Sequence, residues 1–249
     1  MVNRFKDFML ECLFPSKIEC IVCGDELSYE RPHDMCYDCL KRLPKIIKEC
    51  KKCGVSITGM GKYCLTCKER KFRFERGVSC FDYSGKMVSL IHTLKYGGGK
   101  YLAKPLASFM TDKFNEAGFE VDFIMPVPVG HQRAKERGYN QAALLAREVS
   151  ITVGIEYADI LERIKDTPTQ AKLTQEERRH NLDGAFVVTD KTKVKGKNIL
   201  VVDDIMTTGS TCDEIAKTLL KAGSKAVFVL TLAHTVLKYD GKVEVPHDF

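Results

Sequence analysis

The chain has 249 residues, of which 44% are hydrophobic and 29% charged, proportions that are typical of a soluble globular protein. Its formal net charge of +6 falls to about +2 once the zinc sites predicted below are counted, so the global charge gives no argument for a nucleic-acid partner. The chain has no apolar run near the roughly 18 residues that a membrane span needs, and its N-terminus lacks the features of a secretory signal. A cytoplasmic location without a membrane span is therefore expected.

Eight of the eleven cysteines form four Cys-x-x-Cys pairs: Cys20/Cys23, Cys36/Cys39, Cys50/Cys53 and Cys64/Cys67. Cytoplasmic thiols stay reduced, which favours zinc over disulfides, and each pair supplies two of the four ligands of a tetrahedral Zn²⁺ ion. Two structural zinc ions are predicted, because four protein ligands leave no position for substrate. Sequential pairing of neighbouring pairs is favoured, and interleaved pairing is the alternative. Eight thiolates and two ions contribute −8 + 4, which leaves a net charge of about +2.

Gly24 and Gly54 each follow directly after a cysteine pair. The turn at that point often requires a positive φ, which glycine adopts without steric cost. We therefore expect a positive φ at both glycines.

Basic residues are concentrated between Lys41 and Arg76, where twelve cations face three acids, a balance of 12 − 3 = +9 before thiolates are counted. Phe72 and Phe74 alternate with cations near the end of this segment. Cations with interleaved aromatics suit single-stranded DNA, which offers phosphates and bases that can stack. The candidate nucleic-acid-binding residues are Lys51, Lys52, Lys71 and Arg73. The alternative is a solvated basic face with both phenylalanines packed inward.

Residues 77 to 96 are expected to form a strand and a helix that lead into an alternation of helices and strands. Helices are predicted at 101–117, 139–153 and 211–222, and strands at 121–126, 159–163, 185–188, 199–203 and 226–233. This alternation predicts an α/β fold with a doubly wound, mostly parallel sheet. The expected division is a small Cys-rich zinc-binding domain over residues 1–75 and the α/β domain over residues 76–249.

Two basic loops follow predicted strands. Arg133, Lys135 and Arg137 come shortly after the strand end at Pro126, where they could neutralise a polyanionic leaving group. A plain charged loop is the alternative. The second loop is long enough to act as a lid, and it carries Arg178 and Arg179.

The segment Asn198–Thr211 combines an aliphatic strand, the acid pair Asp203 and Asp204, and the turn Thr207–Thr211. The spacing of Thr211 and Glu214 predicts a capping box, with a helix beginning just after the turn. Helix N-terminal amides bind phosphate, and carboxylates accept hydrogen bonds from sugar hydroxyls. A cradle for a phosphorylated sugar is predicted, with an ordinary buried strand and helix cap as the alternative.

This segment resembles the 13-residue signature of the type I phosphoribosyltransferases, which bind phosphoribosyl pyrophosphate (PRPP). The resemblance implies that Asp203 and Asp204 contact the ribose hydroxyls as the catalytic acids, and that a Mg²⁺ ion chelates the pyrophosphate. It implies 5-phosphate contacts from Thr207, Thr208, Gly209, Ser210 and Thr211. The pyrophosphate contacts would come from Arg133, Lys135, Arg137 and Arg178.

With the cysteine pairs, Leu94-Lys95-Tyr96, Pro126-Val127-Pro128 and Arg137-Gly138-Tyr139-Asn140-Gln141, nearly the whole chain resembles the ComF family of competence proteins. That resemblance implies a role in natural transformation, with single-stranded DNA and a competence helicase or other uptake proteins as partners. The residues identify no acceptor, so turnover stays open. A metabolic phosphoribosyltransferase and a non-catalytic PRPP sensor are the alternatives.

Overall fold

The computed structural model describes residues 19–27, 31–96, 98–165 and 182–235. The chain divides into two compact units, Met1–Leu43 and Pro44–Phe249. The helices of the described residues include none that is long and apolar enough to cross a membrane.

The described part of the smaller unit is built around its two cysteine pairs. A 3-10 helix over Pro32–Asp34 precedes helix α1, Tyr37–Lys41, and the side chain of Cys36 caps that helix by accepting from the Cys39 amide. Gly24 has a φ of +77°, as expected for the residue after a Cys-x-x-Cys turn.

The larger unit contains an α/β fold. Its helices are α2 (Leu65–Glu69), α3 (Gly85–Tyr96), α4 (Ala103–Ala117), α5 (His131–Arg137), α6 (Gln141–Val153), α7 (Lys191–Val194) and α8 (Ser210–Lys221), with a 3-10 turn at Gly99–Leu102. Its strands are β1 (Arg76–Asp82), β2 (Phe123–Pro126), β3 (Glu156–Tyr157), β4 (Leu161–Arg163), β5 (Phe186–Val188), β6 (Asn198–Met206) and β7 (Ala226–His234).

Five strands form one sheet in the order β1-β7-β6-β2-β3, and every neighbouring pair is parallel. The prediction of a mostly parallel α/β sheet is therefore confirmed. Strand β6 lies at its centre, and Ile199–Val202 are fully buried. Ile199 and Val201 share a core cluster with Ile215 and Leu219 of α8. Alternate side chains point to the opposite face, and α6 contacts β6 and β2 as well.

The predicted strand at 159–163 is present as β4, Leu161–Arg163, but it does not belong to the parallel sheet. The Ala158 amide still donates to the Ile124 carbonyl at 3.0 Å, beside the edge strand β3. The chain then leaves the sheet, and β4 pairs antiparallel with β5 in a separate two-stranded sheet. The edge strand β3 was not predicted, because a strand of two residues carries too little alternation to be recognised in a sequence.

The second cysteine group is part of the core of the larger unit. Cys50 and Cys53 belong to the same buried cluster as Phe72, Phe74 and the residues of β6. Gly54, with a φ of +76°, lies so close to β1 that an added Cβ would be 2.6 Å from Val78 Cα. Residues 44–75 thus belong to the compact unit that contains the sheet. The predicted domain division after residue 75 stays a prediction.

We expect Gly54→Ala to lower the free energy of unfolding by about 3 kcal/mol, because the methyl group must displace the backbone of β1 and adopt a positive φ. Gly24→Ala is the matched control at the equivalent position, where φ is +77° and an added Cβ meets nothing within 4 Å. That change should cost about 1 kcal/mol. Denaturant unfolding measures both, and equal losses would contradict the tight packing at Gly54.

Candidate functional site

The candidate site lies at the carboxyl edge of the parallel sheet. In the register of the strands, Pro126 of β2 pairs with Val202 of β6, and Met206 of β6 pairs with His234 of β7. The segments that follow β2 and β6 therefore leave the sheet side by side. This edge is where open α/β sheets bind their ligands.

The turn Thr207–Gly209 leads directly into α8. Gly209 is the N-cap, with a φ of +71°, and as a glycine it has no side chain with which to cap the helix. The Ser210 amide donates to Thr208 Oγ1 at 3.4 Å, and the Thr208 hydroxyl donates to Ser210 Oγ at 3.0 Å. The first amides of an α-helix have no intrahelical acceptor and can bind an anion. We call Thr207–Thr211 the phosphate loop.

The predicted capping box is wrong. Thr211 is already the second residue of α8, so it cannot serve as the N-cap. Glu214 instead accepts from the Gly184 amide at 3.1 Å and pairs with Lys217 at 3.1 Å. A Thr followed three residues later by Glu does not by itself show where a helix begins, so the sequence could not distinguish a capping box from the same two residues inside the helix.

The acid pair is held by groups from two other elements. Asp204 is buried, and its carboxylate pairs with Lys95 Nζ at 2.8 Å and accepts from Gln141 Nε2 at 3.5 Å. Burial, and then the charge of Asp204, raise the pKa of Asp203 well above its usual value. Burial opposes ionisation of Asp204 too, but Lys95 lowers its pKa overall. Asp204 thus keeps its charge to lower pH than Asp203.

Lys95 was not linked to the acid pair by sequence reasoning. It lies in the last turn of α3, more than a hundred residues before Asp204, and its only signals were its place in the Leu94-Lys95-Tyr96 motif and beside a run of glycines. A basic residue at a helix end is common, because cations there interact favourably with the helix dipole.

Arg137 is connected to the acid pair through one intervening side chain. Its guanidinium donates to Gln141 Oε1 at 3.1 Å and to the Tyr96 hydroxyl at 2.6 Å, and it lies 4.7 Å from the centre of the Tyr96 ring. Gln141 also donates to Asp204. The Tyr139 hydroxyl donates to the Leu94 carbonyl. The end of α3 therefore holds both the acid and the segment that carries Arg137.

The other predicted anion-binding residues are less closely connected to the acid pair. Arg133 and Lys135 lie on α5 together with Arg137, and Arg133 is one turn before it. Arg133 is half-buried and Lys135 is exposed. Arg178, Arg179 and the predicted lid lie outside the described residues.

The eight paired cysteines form two groups that could each hold one metal ion, Cys20, Cys23, Cys36 and Cys39 in the first and Cys50, Cys53, Cys64 and Cys67 in the second. Within each group all four Sγ atoms lie within 4.8 Å of one another. The Cys23–Cys36 and Cys53–Cys64 Sγ distances are 3.6 and 3.7 Å. A tetrahedron with Zn–S bonds of about 2.3 Å has edges of about 3.8 Å. Both groups therefore fit zinc, with the sequential pairing.

The basic segment is built differently from a base-stacking surface. Phe72 and Phe74 are 6% and 0% exposed, and their rings stack at 4.8 Å. The inward-packed alternative is therefore correct for both rings. Arg73 pairs with Asp213 at 2.9 Å, and Lys52 Nζ donates to the Glu75 carbonyl at 2.9 Å.

Lys51 and Lys71, the other two candidate nucleic-acid-binding residues, are exposed. They leave positive charge on the surface of the segment.

Comparison with known proteins gives one family and several relatives. The family model of the phosphoribosyl transferase domain matches residues 100–248. The chain is 31% identical to Competence protein F of Haemophilus influenzae over 221 residues, 86% of this chain and 96% of that protein. It is 32% identical to the DNA utilization protein YhgH of Escherichia coli strain K12 over 75% of this chain and 84% of that protein. Competence protein ComFC of Streptococcus pneumoniae is 29% identical, over 85% and 86%.

The two cysteine groups allow a matched pair of variants. Cys36 and Cys64 each cap a five-residue helix and accept from the amide three residues later. Each Cys→Ser variant should lower the zinc content from two ions per chain to one. Only Cys64→Ser should lower the melting temperature of the larger unit, by several degrees, since its group adjoins the core of that unit. Elemental analysis and calorimetry measure both, and unchanged zinc content in either variant would contradict the assignment.

Proposed function

Because the chain belongs to the phosphoribosyl transferase domain family and, within it, to the ComF family of competence proteins, we propose that it binds PRPP with Mg²⁺ and acts in the use of imported DNA. The observation that carries this proposal is the single edge at which an acid pair, a helix N-terminus with a glycine N-cap and Arg137 meet. The relatives bear the printed names of competence and DNA utilization proteins, which supports the biological context.

Each part of PRPP has a chemically suitable partner at this edge. The amides of Gly209–Thr211 and the dipole of α8 would bind the 5-phosphate. Asp204, whose charge Lys95 maintains, would accept hydrogen bonds from the ribose hydroxyls, together with Asp203. Arg137 and Arg133, with Lys135 and Arg178, would bind the pyrophosphate, since guanidinium groups match phosphate oxygens in a bidentate manner.

The donor set at the edge also fits magnesium. Mg²⁺ prefers oxygen ligands and usually keeps several waters, binding through one or two carboxylates together with substrate phosphates. Asp203 is the half-buried carboxyl of the pair and has no basic side chain of its own as a partner in the described contacts. When bound, the ion would neutralise charge on the pyrophosphate as a leaving group.

Group transfer would require a nucleophile to attack C1 of the ribose while its bond to pyrophosphate breaks. The resulting oxocarbenium-like charge would be stabilised by a nearby carboxylate, as in glycosidases. The described residues identify no acceptor, so transfer to a base and simple PRPP sensing are both retained. Pyrophosphate release with a panel of bases, and with and without single-stranded DNA, distinguishes them.

Single-stranded DNA is the proposed second ligand, and a competence helicase or another uptake protein the proposed partner. Since Phe72 and Phe74 are buried, contact would be made by cations with the phosphates rather than by base stacking. Exposed Lys51 and Lys71 are the residues best placed for it. Lys52 and Arg73 are already bound to groups of the protein itself.

The PRPP proposal is tested by Asp204→Asn, which keeps the shape of the side chain and removes its charge. We expect the affinity for PRPP with Mg²⁺ to fall at least about tenfold, because hydrogen bonds to a charged group contribute about 1.5–3 kcal/mol. Titration calorimetry measures the change, with Asp203→Asn examined in the same way. Asp159→Asn, at an exposed acid, is the control. Affinities equal to that of the native protein in both site variants would rule the pocket out.

The DNA proposal is tested by the double variant Lys51→Glu/Lys71→Glu. Binding of single-stranded DNA should weaken at least about tenfold at fixed salt, and the salt dependence should become shallower, because fewer counterions are released. Lys86→Glu/Lys191→Glu reverses two exposed charges elsewhere and is the matched control. If both pairs lose the same affinity, only overall charge matters, and the assignment to this segment fails.

A further inference from the structure

A buried carboxylate on α8 is the acceptor for three N–H groups from the segment that follows the second cysteine group. Asp213 Oδ1 accepts from the Arg73 amide at 2.6 Å, and Oδ2 accepts from the guanidinium groups of Arg70 and Arg73 at 2.8 and 2.9 Å. The side chain of Asp213 is only 4% exposed. Hydrogen bonds of this charge-assisted kind are among the strongest in proteins.

Arg70 also contacts the phosphate loop directly. Its Nη1 atom donates to Ser210 Oγ at 3.4 Å, and Ser210 is the first residue of α8. Ser210 Oγ also accepts a hydrogen bond from the Thr208 hydroxyl at 3.0 Å. One guanidinium group therefore joins the buried carboxylate of α8 to the hydroxyl pair that orders the loop.

The ring of Phe72 packs against the same loop. The Arg70 guanidinium lies 4.5 Å from the centre of its ring. An added Cβ at Gly209 would lie 3.0 Å from Phe72 Cε1. Gly209 thus combines a positive φ with a close approach to an aromatic ring, two requirements that glycine meets and other residues do not.

The position of Arg70 is set by the metal-binding helix. Helix α2 begins after Cys64, contains Cys67 and ends at Glu69; Arg70 is its C-cap, and the Arg70 amide donates to the Thr66 carbonyl at 2.8 Å. Arg70 is therefore three residues from a predicted zinc ligand and in contact with the phosphate loop. A small cavity lined by Cys53, Cys64, Phe72 and Thr207–Gly209 lies between the cysteine group and the loop.

We propose that Arg70 is a positioning residue of the phosphate loop, which holds Thr208 and Ser210 in the conformation that presents the first amides of α8 to a phosphate. Its positive charge lies next to the proposed phosphate position and adds to the attraction of the helix dipole for an anion. A loop fixed before binding loses less conformational entropy when the ligand arrives, which raises affinity. The effect on affinity rests on the proposed PRPP binding, whereas the effect on the loop does not.

Arg70→Met tests the proposal through two separate measurements. In the ligand-free protein, we expect amides 208–213 to exchange hydrogen about tenfold faster, because the tether to Ser210 and Asp213 is lost while Arg73 still pairs with Asp213. In titration calorimetry, the affinity for PRPP with Mg²⁺ should fall about tenfold. Lys68→Met removes an equal charge from an exposed residue of α2 and should change neither quantity.

Arg70→Lys keeps the charge but loses the fork that reaches two acceptors, so it should restore only part of the exchange protection. The proposal is overturned if Arg70→Met and Lys68→Met give the same exchange rates. It is also overturned if Arg70→Met loses a zinc ion, since Arg70 would then act on the metal group. Failure of the native protein to bind PRPP would instead remove the proposed function, and the exchange measurement would still decide the role of Arg70.

Discussion

The complete burial of Ile199–Val202 on both faces of β6 is the constraint on which the site depends. A strand covered on both faces cannot slip in register without exposing apolar side chains or burying polar ones. Its register with β2 and β7 therefore fixes where Asp203 and Asp204 leave the sheet, and which neighbouring segments meet them. The phosphate loop and the segment leading to Arg137 are adjacent for this reason, although about seventy residues separate them in the chain.

Both buried carboxylates beside the site are neutralised by basic residues that precede residue 100, the first residue matched by the family model. The phosphoribosyl transferase domain matches residues 100–248, but Asp204 pairs with Lys95, and Asp213 pairs with Arg70 and Arg73. A buried carboxylate without its cation is costly, by several kcal/mol when one partner is removed. The matched region therefore depends on the preceding residues for its electrostatic balance, and Cys50 and Cys53 complete its core.

Local patterns in the sequence were sufficient to predict strand β6, the acid pair, the turn at Gly209 and both cysteine groups. Each of these features is formed by residues that lie close together in the chain. The ion pairs were not predictable in this way. Arg70 and Asp213 are 143 residues apart, and nothing in either segment names the other as its partner. The alternation of cations with Phe72 and Phe74 fits an exposed binding strip and an amphipathic buried strip equally well. Only the packing of both rings into the core distinguishes the two.

Several basic residues of this segment pair with groups of the protein itself, and this limits how the segment can bind a nucleic acid. Arg70 and Arg73 neutralise Asp213, and Lys52 is bonded to the main chain, so part of the charge of the segment serves the protein itself. A nucleic acid would meet the remaining exposed lysines, which favours contacts with phosphates and little discrimination between base sequences. Lys71 is exposed, whereas its neighbours Arg70 and Phe72 lie against the phosphate loop, so this short segment presents one residue to solvent and two to the loop.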